Sequence, residues 1–584
     1  MKNLLGWTLT LAAWPSTAPY FPQAPETAQK IPRVPDAAPG ADPRADYDVQ
    51  AYRIDLSIDP AAKRIDGEVA MEARACAAGL QRIRLDLAAN LELSRVCIVE
   101  GDFAARELPD GQSLVFSREK DFVDITLPVP LARDALVRIA LHYAGSPAKA
   151  DNFSGFHWEQ TPQGQPWITT SCQGPGSHSW WPSKDSFWHP EDKPEHLYFN
   201  ATVPKGLFAV CNGRLLERVS HGELETFRWR HDYPLETYSV ALNIAPYVEV
   251  HQELELEGFE EFGGKLNFDY YVLPGHEERA RLQFADVPKM LAAYGRAFGP
   301  FPFPRSKYAL VETSFWGMEH STCVAYGSSF PAWCKATGAQ DRYASRNKFY
   351  DYILIHESAH EWWGNGVSAA DWGDFWIHEG FGTYAEGVYL ELTESRERAE
   401  EFFATQRALV DPKSSVYSGR GKDSDAAYNS QIYFKGAAVL HTLRQYVADD
   451  DAWWRTLRGF NLAFRYKNAT TEDFRAQLER ETKRDWKTFF DEWVFGSGYP
   501  VVDGTLRVEG KTIIIKAQNE GSSGSGFHLP VDLAWSEGGQ QRSSRSWLAP
   551  GPNELRIECK AAPVGVKTVG LERLLGHLKL EVKD

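Results

Sequence analysis

No stretch of this 584-residue sequence is apolar over the about 20 residues that a helix needs to cross a bilayer. The nearest approach, Leu4 to Trp14 behind the single positive residue Lys2, is eleven residues long. That is too short to span and fits the about 7–15-residue core of a signal peptide. Ala12, Ala13 and Ala18 supply small residues for cleavage. The expectation is a signal peptide over residues 1–18 and a periplasmic or secreted protein with no integral membrane segment after its removal, a cytoplasmic protein being the alternative. Positive charge is also scarce, with 63 Lys+Arg against 79 Asp+Glu and a formal charge of −16. With no Lys/Arg-rich run to displace counterions from phosphates, nucleic acid is excluded as a partner. Cysteine is sparse: seven residues (Cys76, Cys97, Cys172, Cys211, Cys323, Cys334, Cys559), an odd number with no CxxC spacing. Neither a disulfide framework nor a cysteine zinc site follows from that pattern. Cys323 with Cys334 is a candidate pair, and the rest read as buried small apolar residues. No internal repeat is visible.

What is present is ordinary globular composition, 43% hydrophobic and 24% charged, in a chain several times the about 100–200 residues of one domain. Residues 19–46 are rich in proline and alanine and read as a linker. From Tyr52, the apolar residues Tyr52, Ile54, Leu56 and Ile58 alternate with polar ones, and Val69, Met71 and Ala73 continue after a turn placed at Gly67. Period-two alternation is strand signal, and it recurs to Tyr247, so residues 47–247 are expected to be a β domain. Beyond the Pro-rich run Phe298 to Pro304, spacing near 3.6 dominates from about Arg342 to Glu492. Thr470 to Asp473 reads as a capping box. The cluster Gly496 to Pro500 ends the helical part, giving a domain over 248–497. Leu506 to Val508 and Ile513 to Ile515 flank a turn at Gly510, so residues 498–584 read as a small β-sandwich. The fold class is therefore multidomain α+β.

The chemistry concentrates in His356-Glu357-Ser358-Ala359-His360, inside the apolar segment Phe349 to Trp363. On a helix, positions i and i+4 share a face, so both imidazoles reach one zinc ion at about 2.0–2.1 Å. Glu357 lies just off that face, placed to accept a proton from water rather than to ligate. A catalytic zinc takes a third protein ligand, and Trp376-Ile377-His378-Glu379-Gly380-Phe381 offers two, Glu379 and His378.

H-E-x-x-H, then eighteen residues, then Glu in a W-x-x-E-G-F context resembles the gluzincin aminopeptidases, the family of aminopeptidase N and leukotriene hydrolase. The resemblance assigns Glu379 as the third ligand and one zinc ion per chain. Upstream, Trp316-Gly317-Met318-Glu319-His320 is similar to the family's G-x-M-E-N motif. Gly317, Met318 and Glu319 would then contact substrate, Glu319 binding its free α-ammonium. Trp316 and His320 depart from that motif, and a bulky Trp316 is expected to narrow the pocket beside the scissile bond. Tyr433-Phe434-Lys435-Gly436 resembles the segment whose tyrosine stabilises the oxyanion. Thr170-Ser171-Cys172-Gln173 is similar to the stretch that supplies a Gln to the amino-terminus pocket. Glu386, seven residues after Glu379, is a candidate to orient a ligand.

By this resemblance the three domains are a β-saddle, a thermolysin-like α/β catalytic domain and a β-sandwich, without the helical domain that ends longer members. The function it implies is a zinc aminopeptidase acting on peptides with a free amino terminus, with Glu357 as general base. The alternatives are a thermolysin-like endopeptidase, epoxide hydrolysis as in part of the family, and an inactive zinc-bound peptide-binding scaffold.

Overall fold

The computed structural model describes residues 43–583 except 107, 151–153, 174–175, 186–191, 257–263, 342–346, 423–426 and 525. The expected signal peptide and nearly all of the linker lie outside the described residues.

The alternating apolar residues after Tyr47 form strand Tyr47–Asp59, paired antiparallel with Arg64–Ala75 so that Ile54 faces Val69. The chain reverses at residues 60–63, not at Gly67. Gly67 lies within the second strand opposite Leu56, where a Cβ would come within 2.7 Å of Leu56 Cδ1. Glycine there marks a close side-chain approach rather than a turn. Tyr47–Asp59 also runs parallel to His196–Pro204, at the centre of an eight-stranded sheet. Among the described residues of 47–247 there are strands and 3-10 turns but no α-helix.

A five-stranded sheet follows, ordered Val248–Glu255, Lys265–Val272, Tyr308–Glu312, Val324–Tyr326, Gly317–Met318. Successive strand residues point to opposite faces. Tyr271, Ala309, Val311 and Ala325 enter the core of the amino-terminal β segment, while Phe268, Tyr270, Tyr308, Leu310 and Val324 enter the core beneath the helices. This sheet is a wall shared by two cores, and Gly317–Met318 at its edge carries Glu319 to the boundary between them.

Three helices then build the site: α1 (Tyr352–Ala359), α2 (Trp376–Thr393) and α3 (Ser430–Val447). The expected capping box is present, with Thr470 and Asp473 closing the start of helix Thr471–Thr482. Past Pro500 the chain forms a four-stranded and a three-stranded sheet, the hairpin Pro500–Glu509 to Thr512–Gly521 turning at Gly510. Their inward residues Leu506, Ile513, Leu529 and Leu533 join the core of the helices. The tryptophan pairs Trp180-Trp181 and Trp362-Trp363 are fully buried and belong to the cores rather than to a cleft wall. All seven cysteines are free, so Cys323 and Cys334 are not joined.

Candidate active site

α1 ends at Ala359, before the Trp363 that the apolar segment suggested, but tight turns continue it. Trp363 N–H donates to Ala359 O at 3.1 Å and Asn365 N–H to His360 O at 2.9 Å, which holds His360 one turn above His356. His356, His360 and Glu379 offer ligand atoms within 4.8 Å of one another, all buried. Glu379 Oε2 lies 3.4 Å from the Nε2 of each histidine and accepts no hydrogen bond. His356 Nδ1 faces Glu386 Oε1 at 2.8 Å and His360 Nδ1 faces the Trp363 carbonyl at 2.8 Å. Both partners are acceptors, so each Nδ1 carries a hydrogen, and it is Nε2 that presents a lone pair whenever the ring is neutral. Three lone-pair atoms turned toward one point in a buried site call for a cation. Two neutral imidazoles and a carboxylate are a donor set that zinc takes. The residues present therefore fit the metal that the motif implies.

Without the metal, the same carboxylates favour protonated rings, so ligation has to displace those protons. Burial alone would hold the His360 imidazole below its ordinary value, but the Glu379 carboxylate outweighs it and brings the pKa to about 9. Burial would raise Glu379, yet His360 and His356 keep it well below the usual carboxylate range. Glu386, seven residues along α2 from Glu379, also accepts from the Tyr350 hydroxyl. It is the buried outer carboxylate that fixes the His356 ring. His378 is not a ligand: its Nε2 accepts the Ala369 N–H at 2.9 Å and its ring lies flat on Phe375, centroids 4.2 Å apart.

Glu357 is buried beside the cluster, and burial pushes its pKa up. A Cβ on Gly317 would sit 2.7 Å from Glu357 Oε1, so the bare glycine leaves room for that carboxylate. Met318 is 1% exposed, with its side chain in the amino-terminal core. Any contact of residue 318 with substrate would therefore run through its backbone. Glu319 is buried, and Gln173 Nε2 donates to its Oε1 at 2.5 Å and the Tyr238 hydroxyl at 3.2 Å. Burial, opposed by His360, brings the Glu319 pKa to about 8. His320 is fully buried, and burial lowers its pKa to about 3.

Tyr433 stands at the start of α3 and stacks on His356 with centroids 5.8 Å apart. Tyr352 stacks on the same imidazole at 4.8 Å, and Trp316 stacks on Tyr352 at 5.1 Å. The indole thus closes one end of an aromatic column that runs through the His356 ring. Sequence reasoning missed Tyr428, whose hydroxyl pairs with that of Tyr433 and donates to Glu379 Oε1 at 3.2 Å. It precedes the Asn429 cap of α3, outside any periodic segment, so no local pattern marks it.

Tyr433 reaches the cluster because α2 and α3 cross at two glycines. A Cβ on Gly436 would lie 2.8 Å from the Gly380 Cα, and one on Gly380 would lie 3.0 Å from the Gly436 Cα. Gly436→Ala is expected to part the helices, destabilising the fold by about 1–3 kcal/mol and moving Tyr433 away from His356, which would weaken zinc binding at the cluster. Denaturant unfolding and zinc titration on one preparation would check both effects.

Comparison with known proteins gives the same picture. Residues 283–493 match the Peptidase family M1 domain. Aminopeptidase M1-B of Oryza sativa subsp. japonica is 26% identical over 340 residues, covering 56% of this chain and 37% of its own length. The chain therefore spans less than half of that relative. Leukotriene A-4 hydrolase of Xenopus laevis is 24% identical over 494 residues, covering 78% of this chain and 72% of its own. Among solved structures, an M1 zinc metallopeptidase from Deinococcus radiodurans has a TM-score of 0.63 at 22% identity, covering 78% of this chain and 94% of that one. The fold is thus that of an M1 metallopeptidase. The matched residues span α1 to α3, so the helices that carry the site lie in a segment similar to the peptidase M1 domain, and the relatives it resembles are aminopeptidases and a leukotriene A-4 hydrolase.

Proposed function

We propose that this chain is a zinc aminopeptidase that removes amino-terminal residues from peptides. The observation that carries it is a buried carboxylate, Glu319, held by Gln173 and Tyr238 beside the His356–His360–Glu379 cluster. A carboxylate there pairs with a terminal ammonium and has nothing to pair with on a blocked terminus. Aminopeptidases among the relatives support this reading, as does an M1 neighbour crystallised with a Tyr-ser-ala substrate, with a TM-score of 0.62 at 21% identity.

His356, His360 and Glu379 would hold the metal, whose bound form polarises a carbonyl and brings the pKa of water toward about 7. Glu357 takes the proton of the attacking water and delivers it to the departing amine, a task suited to a carboxyl whose pKa burial has raised. Tyr433 donates its hydroxyl to the carbonyl oxygen as charge develops there. Tyr433→Phe is expected to lower kcat by about 10²–10³-fold with KM little changed. Equal losses in kcat and in binding would remove that role. Glu319 and Gln173 hold the substrate ammonium. The three segments of the fold take the parts of saddle, thermolysin-like catalytic domain and sandwich, and export by residues 1–18 is part of the same proposal.

The test is amino-acid release from short peptides presented with free and with acetylated termini. Release from free termini alone is the expected result. Cleavage of both forms would replace the reading with an endopeptidase, and cleavage of neither with a scaffold.

A further inference from the structure

Glu319 does not hold its own position. Its backbone carbonyl accepts from Asn365 Nδ2 at 2.7 Å, and Asn365 Oδ1 accepts from the Ser239 hydroxyl at 3.2 Å. Ser239 Oγ in turn accepts Ser321 N–H at 2.7 Å, and the Ser239 carbonyl accepts from Asn212 Nδ2 at 2.9 Å. One bracket therefore ties the chain around Glu319 to the 3-10 turn Thr237–Ser239 of the amino-terminal β segment. That turn carries Tyr238, whose ring is buried and whose hydroxyl lies 3.2 Å from Glu319 Oε1 and 3.4 Å from His378 Nδ1.

The direction of these bonds follows from one backbone amide. Ala369 N–H donates to His378 Nε2 at 2.9 Å, so Nε2 is an acceptor and the hydrogen of the neutral ring sits on Nδ1. Phe375, stacked on the imidazole, keeps the ring from turning. The His378 Nδ1–H faces the Tyr238 oxygen at 3.4 Å, and the Tyr238 hydroxyl donates to Glu319 Oε1 at 3.2 Å. Gln173 Nε2 converges on the same oxygen.

We infer that Tyr238 and His378 are a positioning pair for the substrate-ammonium site: His378 orients the Tyr238 hydroxyl, and Tyr238 with Gln173 caps Glu319 Oε1 so that Oε2 is presented to the amino terminus. The inference rests on the aminopeptidase reading and deepens it. Neither residue touches the reacting carbonyl, so their loss falls on binding of the amine. It also gives the amino-terminal β segment two of the groups that set substrate recognition, and gives residue 378, the rival for the metal, a different task.

The experiment uses the zinc-loaded full chain with Tyr238→Phe, His378→Leu and His378→Asn. It measures kcat and KM on free-amine peptides, the inhibition constant of free L-leucine, and zinc content. Tyr238→Phe is expected to raise KM and the inhibition constant about tenfold, as for loss of a bond to a charged group, with kcat within about threefold and zinc retained. His378→Leu should shift both constants in the same direction. His378→Asn, whose amide N–H stands where Nδ1–H stood, should bring them back toward wild type. If Tyr238→Phe does not fold, the contrast between the Leu and Asn variants on zinc-holding protein decides the matter. Unchanged KM and inhibition constant in the variants, or a fall in kcat alone, overturns the inference. Wild-type enzyme that cleaves acetylated and free peptides alike overturns the aminopeptidase reading and this one with it. Wild-type discrimination combined with indifferent variants overturns the positioning pair alone.

Discussion

Glu357→Gln is expected to lower kcat by about 10²–10⁴-fold, the usual weight of a positioned general base, while zinc content and KM stay near wild type. Glu357 sits between the two histidines in sequence but is outside the set of three mutually close ligand atoms, so the amide should leave the metal in place. The substitution preserves shape, which matters because Gly317 leaves room for little more than the existing side chain. What it removes is the ability to take a proton, and that step occurs only in the transition state, so the loss belongs in kcat. Steady-state kinetics with metal analysis would read it. A variant that kept more than about a tenth of wild-type kcat would show that another group is the base.

Removing zinc is expected to abolish turnover, and adding it back to restore turnover in proportion to occupancy. Two physical readouts accompany the kinetics. In the metal-free protein the neighbouring carboxylates hold His356 and His360 protonated, His360 with a pKa of about 9. Ligation needs both Nε2 lone pairs, so loading at pH 7 should release protons into weakly buffered solution, and affinity should rise as pH rises toward that value. Binding to the folded state alone also stabilises it, by about 2.7 kcal/mol when free metal is at about 100 times its dissociation constant. Calorimetry in two buffers of different ionisation heat would count the protons. Loading without proton release would mean that the histidines are already neutral and that Glu379 faces them without pairing.

Legibility differed from residue to residue. The pair His356 and His360 could be read because helix geometry converts a spacing of four into a shared face. Glu386 could be placed on the face of Glu379 for the same reason, and the structure adds that it holds the His356 ring. The choice of Glu379 over His378 rested on family resemblance, and its physical reason is long-range: the Ala369 amide already occupies the His378 nitrogen. Glycine's freedom suggests a turn at Gly67, while the real reversal at residues 60–63 carries Lys63 at φ 50°. Met318 sits in a motif that suggests contact with substrate, but strand alternation turns its side chain into the core.

The sequence by itself determined the local geometry: strand alternation in the first 200 or so residues, the helical frame of the zinc motif, the capping box at Thr470 and the hairpin at Gly510. These depend on residues within a turn or a strand pair of each other, so a repeat length is enough to read them. Only the tertiary structure decided that Tyr238 and Gln173, from the amino-terminal β segment, meet Glu319, and that Tyr428 and Tyr433 meet beside Glu379. The contacts to Glu319 and Glu379 join residues 49 to 146 positions apart, brought together by a shared sheet between two cores and by the crossing of two helices at Gly380 and Gly436. Packing over such separations is set by the fit of whole surfaces, which no periodicity along the chain records.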